Sequence, residues 1–220
     1  MSKQCQNNVK TMSKRIFLPL SLLLAVFLVA GVFCVVKFGV AGVATSANLA
    51  NSVPFKFTGF KVGDLIFRRG NGADSLLIAL VSDFKYSHVG VVVSVSPVLI
   101  IHATTDDDVA RPNQVIVSKL EEFLRLGSKF GVGRVGLTEA QRGEFARNLR
   151  LRLGEKFLLK ERVATKTNLY CTTLVEQELG KFVDFRPAYT RLDTPLFKGE
   201  FLLPKAIFYD KNVEILYENE

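Results

Sequence analysis

The chain has 220 residues, is 48% hydrophobic and carries a formal net charge of +8. That length holds one ordinary globular domain plus an appendage. The charge does not argue for a nucleic-acid partner: residues 1–43 contain five basic and no acidic side chains, which leaves about +3 for the rest.

Residues 1–15 form a short basic tail. Ile16 to Val36 then runs 21 positions without a charge. At about 1.5 Å per residue, a helix of that length spans roughly 30 Å, the thickness of a bilayer core. Pro19 falls in its first turn, where proline is tolerated. A secretory signal has a shorter apolar core, of about 7–15 residues, and then a small-residue cleavage site. Ala44-Thr45-Ser46-Ala47 offers such a site, so cleavage is the alternative; length favours a retained transmembrane anchor over 16–38. Lys3, Lys10, Lys14 and Arg15 precede the segment and only Lys37 follows closely. The positive-inside rule therefore keeps the tail in the cytoplasm and sends the rest across the membrane. The expectation is a single-pass inner-membrane protein whose domain faces the periplasm in a Gram-negative cell.

Residues 39–58 read as a tether of small and polar residues, and 59–220 as the folded domain. Asp64 to Arg68 is the first strand, after a turn at Gly63. Asp74 to Phe84 is a short helix with Leu76, Leu77, Leu80 and Val81 at helical spacing. Ser87 to Val95 and Val98 to Ala103 are apolar strands joined at Ser96-Pro97, hence a hairpin. Val115 to Val117 is a short strand, Lys119 to Leu126 a helix, and Phe130 to Gly136 a strand. Thr138 and Gln141 match a capping box for a helix running to about Leu153, closed by Gly154. Its Arg142, Arg147, Arg150 and Arg152 read as a solvated face. Cys171 to Leu179 is a helix and Val213 to Tyr217 the last strand. The pattern is α+β, an antiparallel sheet packed against helices.

Three cysteines occur, Cys5, Cys34 and Cys171, and only Cys171 lies beyond the apolar segment. A lone thiol in an oxidising compartment has no intradomain disulfide partner. The only two histidines, His88 and His102, fall on the two strands of the hairpin. Register decides whether they share a face. Cys171 falls at a helix start, where unpaired N–H groups and the helix dipole favour a thiolate. An adjacent imidazole lowers such a thiol further from its usual value of about 8.5.

These residues carry a resemblance. Gly63-Asp64-Leu65-Ile66-Phe67-Arg68, then Tyr86-Ser87-His88-Val89-Gly90-Val91-Val92, then Tyr170-Cys171-Thr172-Thr173-Leu174-Val175 resemble the permuted branch of the NlpC-type papain-like superfamily. The nearest part is the YiiX/YebB-like group, relatives of lecithin retinol acyltransferase. The similarity spans about residues 60–205. In that branch the histidine strand precedes the cysteine helix, as here. The resemblance implies a permuted papain-like fold with Cys171 as nucleophile and His88 as its base. The third residue, which orients the imidazole, is often a glutamate in this branch. His102 stands in its place, an arrangement closer to lecithin retinol acyltransferase than to the peptidases. Asp64 matches a family aspartate and reads as a turn or supporting residue. Tyr86 and Tyr170 are expected to wall the substrate cleft, or else to serve as packing aromatics.

The expected function is a thiol hydrolase or acyltransferase acting on an amide or ester, with no cofactor. Its substrate is either a cell-wall peptide or a lipid acyl group. A membrane-tethered binding module that keeps the cleft without the reaction is the alternative, motivated by the missing acidic third residue. His88, His102 and Cys171 are chemically compatible zinc ligands, but no close ligand pair supports them, and no metal is expected. Asp106-Asp107-Asp108 lacks the glycine and distal glutamate of a calcium loop and reads as a solvated loop.

Overall fold

The computed structural model describes residues 55–162, 168–195 and 197–219. The basic tail, the apolar segment and most of the tether lie outside them. The chain divides into two compact units, 1–50 and 51–220, and the second is the one described. Among the described residues no helix is long and apolar enough to cross a membrane.

In chain order the elements are β1 Leu65–Gly70, α1 Ala73–Ser82, β2 His88–Val95, β3 Val98–Thr104, β4 Gln114–Lys119, α2 Leu120–Arg125 and β5 Gly127–Val135. They continue as α3 Glu139–Leu151, α4 Cys171–Leu179, β6 Thr190–Asp193, β7 Lys198–Phe201, α5 Pro204–Phe208 and β8 Val213–Glu218. Six strands form one sheet in the order β4-β3-β2-β1-β5-β8. Every neighbouring pair in it is antiparallel. The expected α+β architecture is therefore present, and β6 and β7 add a separate hairpin. The sequence reading missed that hairpin and α5.

Side chains alternate across a strand with a period of two, and here both faces are covered. Leu65, Phe67, Val89, Val91, Ile101 and Ala103 pack with Phe145 and Leu149 of α3 and with Leu174 and Leu179 of α4. Ile66, Val92 and Ile100 face the other way, onto Phe123 of α2. This double coverage is why β2 and β3 read as nearly continuous apolar runs. Each buried side chain of this size contributes about 1.5–3 kcal/mol by leaving water.

Thr138 caps α3 as expected, its hydroxyl accepting from Gln141 N–H while the Gln141 side chain accepts from Thr138 N–H. The expected solvated face of arginines on α3 holds only for Arg147 and Arg150, which are exposed. Arg142 is buried and donates to the carbonyls of Val62 and Val135. Arg150 donates to Val93 O, and Arg152, just past the helix, pairs with Glu178. The Arg142 and Arg152 guanidinium groups thus reach carbonyls or a carboxylate that the packing brings to them.

Candidate functional site

The strand register brings the two histidines together. Arg68 lies opposite His88 in the β1–β2 ladder, and Ile116 lies opposite His102 in the β3–β4 ladder. His88, Gly90 and Val92 share the Phe123 face with Ile100 and His102. A Cβ at Gly90 would lie 2.5 Å from Ile100 Cγ2 and 3.3 Å from the His102 Cβ. The glycine of the Ser-His-Val-Gly stretch therefore keeps the space that lets His102 sit beside His88. His88 Nε2 is 2.9 Å from His102 Nδ1, and His102 Nε2 is 3.0 Å from Ser118 Oγ.

Two further residues complete the cluster, and the sequence reading missed both. The Asp107 carboxylate comes within 3.7 Å of His102 Nδ1. It is held bidentately by Arg68, with Nη2 at 2.7 and 2.5 Å from its two oxygens. Asp107 is thus not part of a solvated loop; its side chain is only 9% exposed. The Arg68 guanidinium stacks 4.5 Å from the Phe123 ring centroid and donates to Phe123 O, while its Nε is buried without a partner.

Burial keeps both imidazoles neutral. His88 is pushed well below its usual range by burial first, then by the charge of Arg68 and by His102. His102 is lowered to about 3, again by burial and then Arg68. Burial raises Asp107, but the charges of His88, Arg68 and His102 outweigh it and hold the group down at about 2. Of these partners, Arg68 is the one that stays charged at neutral pH. The carboxylate is therefore ionised and the imidazole pair is not.

Cys171 opens α4, with Tyr170 as its N-cap residue. The start of the helix is fixed to the chain after β7. Thr172 Oγ1 donates to Leu202 O at 2.7 Å, and the Tyr170 hydroxyl accepts from Leu202 N–H at 2.9 Å. Cys171 belongs to the buried cluster that contains Val89 and Ala103. The β2–β3 ladder begins at Val91 and Ile101, so Val89 lies just beyond the paired region. Backbone N–H groups of Val89, Thr172 and Cys171 act on the sulfur and favour its ionised form, as does the charge of Arg68. Burial outweighs them and raises the thiol to about 11. The expected lowering is therefore reversed in this resting state: the local helix argument is right in sign, but desolvation is the larger effect. The hydrogen bonds of the described residues include none between Cys171 and either histidine. The nearest link is through the backbone, since the Val89 amide that serves the sulfur directly follows His88.

A small apolar pocket of about 30 Å³ opens beside Cys171. Ile78 and Val81 of α1, Phe197, Phe201 and Leu202 line it together with Tyr170. Tyr170 is therefore a wall of the cleft as well as a packing residue. Tyr86 is not: it is fully buried, donates to Phe130 O at 2.8 Å and packs on Phe67, Phe84 and Phe208. Asp64 is fully buried too. It accepts from Arg134 Nε and Nη2, both at 2.7 Å, and from Lys61 N–H, closing the turn into β1. It supports the turn and does not line the pocket beside Cys171.

No family model matches this sequence, and no curated protein does. Its fold does match a solved structure, that of the metalloprotein yiiX from Escherichia coli O157:H7. The TM-score is 0.60 at 20% identity, covering 72% of this chain and 97% of that one. The chain shares its fold with a YiiX/YebB-like protein.

Proposed function

We propose that this protein is a thiol hydrolase or acyltransferase of the permuted papain-like type, with Cys171 as nucleophile, His88 as base and His102 orienting the base. The observation that supports it most is the position of the sulfur. It sits at the first turn of α4, against the amide that follows His88, and at the wall of a pocket. With the thiol raised and the imidazole neutral, the pair works as a general base and its acid rather than as a preformed ion pair.

His88 Nε2 is committed to His102, so His88 Nδ1 is the atom that takes the thiol proton. The sulfur then attacks the carbonyl carbon of the substrate, and backbone N–H groups at the start of α4 stabilise the oxyanion. Collapse breaks the amide or ester bond. The leaving amine or alcohol takes the proton from His88, and a thioester remains on Cys171. Water or another acceptor, deprotonated by the same nitrogen, releases the acyl group.

The pocket lining favours a lipid acyl group over a cell-wall peptide, because nearly all of its walls are apolar side chains and a charged murein stem would lose its hydration there. The apolar segment 16–38 supports a membrane-anchored enzyme with an extracytoplasmic domain, periplasmic in a Gram-negative cell. The test is to incubate the protein with a long-chain acyl ester and seek the thioester by mass spectrometry. Acylation at Cys171, lost in Cys171→Ala, is expected. Undiminished turnover by that variant sinks the proposal. A folded protein that binds the chain but never forms the thioester is the binding module instead.

A second reading rests on the histidine cluster. Nitrogen atoms of His88 and His102 and an oxygen of Asp107 all lie within 4.8 Å of one another, and the structural neighbour is called a metalloprotein. Two imidazoles and a carboxylate fit zinc in donor type. The set differs from the chemically compatible trio His88, His102 and Cys171, with Asp107 in place of the thiol. Bound zinc would supply a Lewis acid and an activated water. The Arg68 guanidinium opposes a cation there and occupies both Asp107 oxygens. Stoichiometric zinc in the purified protein, lost in His102→Ala, supports this reading; its absence after zinc dialysis ends it.

A further inference from the structure

Helix α1 has no conventional polar face. Its sequence is Ala73-Asp74-Ser75-Leu76-Leu77-Ile78-Ala79-Leu80-Val81-Ser82, and only Ala79 and Ser82 are buried. Leu76 is 51% exposed and Leu80 68%. They lie one turn apart and share the outward surface. On the inward side Ile78 and Val81 form a wall of the Cys171 pocket. An outward helix face made of leucines belongs in an apolar surrounding, and the fold leaves Leu76 and Leu80 in the open.

The surroundings of the helix suit a lipid surface. Tyr209 is 67% exposed, with its ring 5.6 Å from that of Phe84, just past the end of α1. Lys205 reaches back with Nζ to the carbonyls of Ser82 and Asp83. Lys85 lies over the Tyr86 and Phe208 rings and pairs with Glu218. Exposed leucines flanked by a tyrosine and lysines match the membrane interface, where apolar groups enter the acyl boundary and polar tips stay at the headgroups. The acidic residues of the helix, Asp74 and the cap residue Asp83, stand at its two ends. The chain also carries what would bring a bilayer near. Ile16–Val36 is of membrane-spanning length, and residues 39–58 can extend at most about 70 Å.

We infer that α1 docks the domain onto the lipid surface, with Leu76 and Leu80 inserted among the acyl chains. An acyl chain then reaches the Cys171 pocket along Ile78 and Val81 without crossing water. This deepens the acyl-lipid reading above by naming the bilayer as the source of substrate, but the docking itself is measurable without turnover.

The sequence contains no tryptophan, so a single introduced one reports without background. The full chain carrying Leu80→Trp is reconstituted into phosphatidylcholine and phosphatidylglycerol vesicles with brominated acyl chains. A Leu151→Trp chain is the control, at an 81% exposed position on the end of α3. Blue-shifted emission and strong bromine quenching at position 80, with little at 151, is the expected result. Equal quenching at both sites, or none at 80, overturns the inference. A blue shift without quenching also overturns it, because protein then covers the helix, either the chain's own apolar segment or a second copy. The Leu76→Ser/Leu80→Ser chain is expected to lose roughly tenfold or more of its turnover of a vesicle-borne ester while keeping that of a short soluble ester. If no ester is turned over by any chain, the catalytic reading fails, and the quenching result still decides the docking.

Discussion

The two ends of β1 each hold a buried carboxylate against a guanidinium, yet the two pairs differ in kind. At the start of the strand, Asp64 is enclosed by Arg134, with Arg142 at 3.8 Å, and both oxygens accept hydrogen bonds. No imidazole takes part, and the network ties the turn before β1 to β5 and α3. Near the end of the strand, Arg68 grips Asp107 but leaves its own Nε unpaired and lies against two neutral histidines. The first pair is complete in itself and fixes the fold. The second is joined to two buried titratable groups, and on the proposed reading perturbed protonation of that kind belongs to a catalytic site.

The comparison predicts opposite signatures on mutation. His88→Ala is expected to lower the acylation rate at Cys171 by about 10²–10⁴, the usual yield of a general base, while the folded fraction stays near that of the parent. Single-turnover mass spectrometry and thermal melting read the two quantities separately. Asp64→Ala is expected to do the reverse. It strands the Arg134 charge and costs about 3–5 kcal/mol of stability, with the acylation rate per folded molecule unchanged. A specific rate loss in Asp64→Ala would erase the distinction between the two ends.

Asp107→Ala sharpens the contrast, because it should show both effects. Removing one partner of a buried pair costs about 3–5 kcal/mol. The uncompensated Arg68 charge then pushes the His88 imidazole still further from protonation and weakens it as a base. The combined Arg68→Met/Asp107→Leu chain removes both charges and is expected to recover most of the stability, but not the rate. Urea denaturation and acylation kinetics check these outcomes.

Acid stability tests the histidine end alone. Both imidazoles are held well below the unfolded value of about 6.5, so below about pH 6.5, and for His102 down to about pH 3, the unfolded chain binds protons that the folded chain refuses. Stability therefore falls as pH drops below about 6.5, by about 1.4 kcal/mol per pH unit for each histidine. His102→Gln is expected to remove about one proton from this slope. Asp107 adds stability above its unfolded value that is lost only as pH falls toward about 2. A melting temperature flat from pH 7 to 4.5 would show that the pair is not buried neutral.

Much of this fold was legible in the sequence, and the reasons are local. β1 to β5 are apolar runs bounded by turn residues, α3 announces itself with a capping box, and the hairpin placed the histidines on neighbouring strands. What escaped depends on distant partners. Asp107 stands in a run of three aspartates and is buried only because Arg68 approaches it from 39 residues away. Arg142 read as solvent-facing because nothing nearby in sequence shows the carbonyls of Val62 and Val135 that receive it. β6 and β7 are four residues each and largely exposed, with no run of apolar positions to mark them. The thiol was misjudged for the same reason: the helix start is visible in sequence, and the depth of burial is not.

Ser118 provides the finest test of the second pair, through the proton it selects. If the His102 Nε2–H donates to Ser118 Oγ, then His102 Nδ1 is an acceptor and must receive the His88 Nε2–H. That leaves a lone pair on His88 Nδ1, the one tautomer that can take the thiol proton. If the hydroxyl donates instead, every proton in the chain shifts by one place and His88 Nδ1 is blocked. Ser118→Ala removes the acceptor and leaves a buried N–H unmet, at about 1–3 kcal/mol. It also lets the unproductive tautomer compete, so the acylation rate should fall roughly tenfold, the effect of about 1.4 kcal/mol. The pH of half-maximal rate should not move, because no charge is lost. Ser118→Thr keeps the oxygen and should restore the rate. A full rate in Ser118→Ala would show that His102 holds its tautomer without help, and that the chain of hydrogen bonds from β4 only supports the fold, as the Asp64 network does.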